Sequence, residues 1–93
     1  SKANLRFLQY QQMYANDLLK TRGHLFLNDV YRMLGFAEST IGQLAGWVYD
    51  IENPNANNFV DFGINEECNL DFRNGNSTNA LLNFNVDGCI LGK

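Results

Sequence analysis

The side chains in this 93-residue chain that most readily do covalent chemistry are a single histidine and two cysteines, His24, Cys68 and Cys89. Cys–His catalysis needs the imidazole beside the sulfur, where it can take the thiol proton. No nucleophile-elbow signature flanks either cysteine, and His24 directly follows Gly23, the glycine expected to end the first helix. That histidine therefore reads as a structural or exposed group near a turn. A Cys–His hydrolase or transferase using Cys68 or Cys89 is the lesser alternative. The two cysteines allow one disulfide, whereas a small secreted domain stapled for stability usually carries four or more. They are expected as free, partly buried thiols. Asp50, Glu52 and Asp61 flank one turn-rich stretch, but acid–base work needs a pocket that separates carboxyl pKa values, and loop carboxylates are ordinarily solvated. The expectation is no catalytic residue.

Asn83-Phe-Asn85-Val-Asp87-Gly88 has oxygens at alternate positions and glycine at the sixth, the first half of a calcium loop. Its first position is an amide instead of a carboxylate, and the chain ends before the twelfth position, where a bidentate glutamate belongs. A strand with Leu82, Phe84 and Val86 inward, ending in an Asp-Gly turn, accounts for the pattern without an ion. One histidine and two distant cysteines supply no close-spaced transition-metal pair. Gly42 and Gly46 lack the lysine and the strand-to-helix setting of a phosphate loop. The expectation is no metal and no cofactor.

A net charge of -3 and a sequence pI near 4.8 leave few cations to neutralise phosphates. The charge is uneven: residues 1–46 carry five basic and three acidic side chains, residues 47–93 two and seven. A weak nucleic-acid face built from Lys2, Arg6, Lys20, Arg22 and Arg32 is a minor alternative to solvated helix faces. No nucleic acid is expected as a partner. No apolar run reaches even half of the ~18 residues that span a bilayer, so the chain as given is expected to be soluble. It opens on Ser1 instead of methionine, as a processed product or an excised domain would, which leaves an upstream membrane anchor open.

The elements that must position these groups are legible from periodicity. No glycine or proline falls between Ala3 and Lys20, and 100° spacing gathers Phe7, Leu8, Tyr14, Ala15, Leu18 and Leu19 on one face. Arg6, Gln9, Gln12, Asn16 and Lys20 take the opposite side of this long helix, together with Tyr10 and Met13, the candidates for a partner surface. A second helix starts within Leu25–Asn28, runs a stripe of Leu27, Val30, Tyr31 and Leu34, and stops at Gly35. Thr40 and Gln43 have capping-box spacing for one short turn closed by Gly46. From Gly46 the period becomes two: Trp47 with Tyr49, Val60 with Phe62 and Ile64, and Leu82 with Phe84 and Val86 form three strands. Asp50 to Asn58, around Pro54, is a hairpin loop joining the first two strands, and its Asn55, Asn57 and Asn58 are further candidate partner contacts. Between strands two and three, Asn65 caps a helix from Glu66 to about Asn74 whose Cys68 and Phe72 face the sheet. Fourteen asparagines make the chain rich in turn and cap residues.

The segments Tyr14 to Leu19, Gly23 to Tyr31, Gly46 to Asp50, Tyr49 to Asn58 with its Asn53-Pro54, Val60 to Gly63 and Asn83 to Gly88 occur in an order that carries a resemblance. Over nearly all 93 residues the chain resembles the C-terminal part of an uncharacterised family of short tailed-phage and prophage proteins, a domain of unknown function. Members of that family carry an N-terminal hydrophobic segment absent here. The resemblance thus implies the soluble domain of a membrane-tethered phage protein, in the bacterial host cytoplasm, at its membrane or in the virion. It also implies aspartate in some relatives where Asn83 stands, so a family ion site would be weakened in this chain. It carries over no catalytic residue.

The expected architecture is α+β: one domain over residues 1–93, mainly helical in 1–45, with a small three-stranded antiparallel sheet and one inserted short helix in 46–93. The expected function is a non-enzymatic interaction or structural domain of phage origin, binding an unidentified protein partner or a second copy of itself. A core this small is marginal, which favours an oligomer or a bound partner.

Overall fold

With no glycine or proline from residue 2 to residue 22, nothing interrupts the first helix, and the computed structural model shows α1 over Lys2–Arg22. The structure describes residues 2–54, 56–77 and 80–90. Lys20 and Arg22 sit in the last turn of α1, where positive charge suits the exposed carbonyls. Gly23 takes φ 82°, which an L side chain rarely adopts, and releases the chain in a new direction.

The chain then enters a short strand, β1 (His24–Phe26), where the sequence pattern gives only a turn. Helix α2 (Leu27–Leu34) follows at once, and its entry is fixed by the Asp29 carboxylate, which accepts from the Phe26 amide at 3.1 Å. Its exit is at Gly35 as expected: Gly35 N donates to Arg32 O and Phe36 N to Tyr31 O, the paired bonds of a left-handed helix stop. The next turn differs from its expected capping box. Thr40 has helical angles and makes no side-chain cap, and Ser39 Oγ accepts the Gly42 amide at 2.9 Å instead. Gly46 does not close that turn; it lies inside a strand.

That strand, β2 (Ala45–Val48), is the centre of a three-stranded antiparallel sheet in the order β1-β2-β3, with β3 being Gly88–Cys89. Leu25 stands opposite Trp47 and Phe26 opposite Gly46 on one side, and Ala45 opposite Cys89 on the other. A Cβ on Gly46 would lie 2.1 Å from the Leu25 carbonyl oxygen, so only glycine lets β1 and β2 close at this register.

The α+β class and the long N-terminal helix therefore stand, while two of the three expected strands do not. Val60–Ile64 and Leu82–Val86 lie outside the sheet and run beside one another, joined by Asn83 N to Phe62 O at 2.9 Å and Asn85 N to Asp61 O at 3.2 Å. Their alternation is correct in burial: Val60, Phe62 and Ile64 are buried, and Leu82, Phe84 and Val86 pack against them. The Asp50–Asn58 loop accordingly links β2 to a non-ladder segment and is not a hairpin. The expected Glu66–Asn74 helix is a 3-10 turn (Glu67–Asn69) leading into one turn of helix, α3 (Leu70–Arg73), without a cap from Asn65. Phe72 is buried as expected, but Cys68 is exposed.

Ala15 and Leu19 of α1, Leu25, Leu27, Val30, Trp47, Val60, Phe62 and Ile64 form one core. The Phe62 and Phe84 rings meet edge to face at 5.4 Å, and Tyr31 meets Phe84 at 5.9 Å. Among the described residues no helix is long and apolar enough to cross a membrane.

Candidate interaction surface

Which side of α1 packs inward is decided as much by amides as by apolar residues. Asn16 accepts from Val60 N through Oδ1 at 2.7 Å and donates to Val60 O through Nδ2 at 3.0 Å; Gln12 Oε1 accepts from Phe62 N at 2.9 Å. Those side chains were expected on the outer side with Arg6 and Lys20. They face the core side because residues 60–62 have no ladder partner there, and a partly buried peptide group without a hydrogen bond costs about 1–3 kcal/mol.

Asn28 does the same for Ser39 N and O, and Asn69 for Leu81 N and O. Asn85 Oδ1 accepts from both the fully buried Trp47 indole and Asp61 N, while its Nδ2 donates to Phe59 O. A side-chain amide carries one carbonyl and one NH2 about one peptide group apart in function, so it can stand in for a strand's donor and acceptor. Four of the fourteen asparagines, Asn16, Asn28, Asn69 and Asn85, are used in this way, so their abundance is not only a matter of turns and caps.

Bringing Gln12 and Asn16 inward rotates the apolar face of α1. Phe7 and Tyr14, expected in the core, are exposed at 45% and 53%, beside Tyr10 at 65% and Met13 at 62%. Positions 7, 10 and 14 repeat at helical spacing, with Met13 next to them, so four large side chains make one continuous strip. Arg6 and Asp17 extend the Tyr10–Met13 line at its two ends, both exposed and, among the described residues, outside every ion pair. Solvated single apolar residues are ordinary on a surface, whereas these four large side chains on one helix face form one contiguous exposed apolar strip.

The loop candidates are placed differently. Asn57 donates its Nδ2 to Asn85 O at 2.7 Å and its backbone N–H to Asp87 Oδ1 at 3.0 Å. Asn58, at φ 62°, accepts the Asp50 amide on Oδ1 at 2.7 Å. Asn57 thus ties the loop to residues 85 and 87, and Asn58 closes the loop on Asp50. Asn55 lies outside the described residues. The side-chain oxygens of Asn85 and Asp87 are also engaged, Asn85 Oδ1 by Trp47 and Asp61 N and Asp87 Oδ2 by Val48 N at 3.0 Å, while Asn83 donates its Nδ2 to Glu66 Oε1 at 3.2 Å.

A family model described as a family of unknown function, DUF6353, matches residues 1–93. The chain belongs to DUF6353. No match was found among curated proteins or among solved structures.

The reactive groups of this DUF6353 chain are held apart where the sheet fixes them. His24 pairs with Val48 on one edge and Cys89 with Ala45 on the other. Two strand spacings and three residues along β2 set their Cα atoms about 14 Å apart. Cys68 and Cys89 are free and exposed, so the expectation of partly buried thiols is corrected. Of the basic residues, Arg32 is bonded to Glu38 at 2.7 Å and to Asp29. The Glu38 hydrogen bond, opposed by desolvation and helped by the Asp29 and Glu38 charges, raises its pKa above the ordinary arginine value. The sequence reading named Tyr10 and Met13 but missed Phe7 and Tyr14; the signal that could have found them was the cluster of amides at 12 and 16, which compete for the inner face.

Proposed function

We propose that this DUF6353 chain is a non-enzymatic protein-interaction domain whose contact surface is the outer face of α1, centred on Tyr10 and Met13 with Phe7 and Tyr14 at the rim. The observation that carries the reading is that strip of four exposed large side chains on a single 21-residue helix whose other face is fully committed to the core. A rigid helix presents such groups with little ordering cost on binding, and Tyr and Met suit surfaces that are wet when free and dry when bound. The phage or prophage origin, and tethering to a membrane through an upstream segment, belong to the same proposal and rest on the family resemblance of the segments between Tyr14 and Gly88.

The test places a photo-crosslinking phenylalanine analogue at Tyr10 and, as a control, at Asn76, which is also exposed but lies far along the chain. Adducts of any kind at position 10 and not at 76 are expected. Equal labelling at both positions, or none at either, refutes the surface.

A further inference from the structure

Resting on that reading, we infer that the outer face of α1 pairs with the same face of a second copy of this chain, the two helices running antiparallel. The strip is self-complementary in charge. Arg6, Tyr10, Met13 and Asp17 follow one line on the helix, at spacings of four, three and four. One end of the line is cationic and the other anionic, and neither charge has an ion-pair partner among the described residues. The pairs 6 with 17 and 10 with 13 share one midpoint, between residues 11 and 12.

A two-fold axis through that midpoint sets Arg6 of each copy against Asp17 of the other, and Tyr10 against Met13, with each contact made twice. A parallel pair would set Arg6 on Arg6 and Asp17 on Asp17, so the charge order selects the antiparallel arrangement. Thioether against aromatic ring is a favourable central contact. The charged ends lie about 16 Å apart along the helix, a strip well below the ~1,200 Å² of a standard interface. The dimer is therefore weak and concentration-dependent.

The test is mass by light scattering during size exclusion, from about 10 μM to 1 mM at low salt, on the wild-type chain, Arg6→Asp, Asp17→Arg and the double variant. The wild-type mass rises from 10.6 kDa towards twice that value. Each single reversal weakens association at least about tenfold. The double variant restores it, and so does mixing the two single variants, which also shows that both are folded. A wild-type chain monomeric throughout overturns the dimer and leaves the interaction face to the crosslinking at position 10. A dimer indifferent to the reversals and to Tyr10→Ser with Met13→Ser overturns both readings. Weakening by the singles without rescue in the double overturns the antiparallel register.

Discussion

The two faces of α1 differ less in greasiness than in what they offer a backbone. The outer face carries Phe7, Tyr10, Met13 and Tyr14 and remains exposed; the inner face carries Leu8, Gln12, Ala15, Asn16 and Leu19 and meets the core. On area alone the aromatic face should be inside, since burying a large apolar side chain contributes about 1.5–3 kcal/mol. It is not, because Val60 N, Val60 O and Phe62 N have no strand partner, and Asn16 and Gln12 supply their hydrogen bonds. Ala15 between them lets the helix approach closely. The order of inside and outside is thus set by hydrogen-bond demand in a segment 44 residues away.

The comparison can be broken most forcefully at Leu19, which is fully buried. Leu19→Ala removes a side chain from the middle of the inner face and leaves a cavity, with an expected loss of about 2–5 kcal/mol in urea unfolding. Asn16→Leu is the sharper test, because it keeps shape and adds hydrophobicity. If the amide decides the face, this variant loses about 2–4 kcal/mol and the Val60 amide exchanges with solvent far faster; a stability equal to or above the wild type would show that the amide is dispensable. At the small end, Tyr14→Ser on the outer face shifts the unfolding free energy by less than about 0.5 kcal/mol when measured at dilute concentration. A loss of several kcal/mol there would mean that the outer strip is a covered part of the fold.

The helices were legible in the sequence because their stops are local: Gly23 and Gly35 both take the left-handed conformation that their positions suggest. Strand β1 was not, since three residues between a glycine and a helix show no alternation, and their strand character comes wholly from pairing with β2. The alternation around Val60 and Phe84 was read correctly as inside against outside and incorrectly as ladder. Period two reports burial, and it is silent on whether the bonding partner is a backbone or a side chain. The same blindness placed Asn16 on the solvent side. At residues 39 and 40 two adjacent hydroxyls compete for one cap, and the contact of Asn28 with Ser39 decides it in favour of the serine. For the candidate site, Tyr10 and Met13 were readable from the helical wheel, whereas Phe7 and Tyr14 depend on a rotation of the helix that only the long-range amide bonds impose.

The joints made by Asn16, Asn28 and Asn69 hold distant segments together without using a charge. A carboxamide neither gains nor loses a proton over the ordinary range of acidity, and a neutral pair has no field for dissolved ions to screen. Segments fastened in this way stay fastened through changes of ionic strength that would weaken the proposed pairing of Arg6 with Asp17, so salt separates the joints inside the chain from any contact made by its outer face.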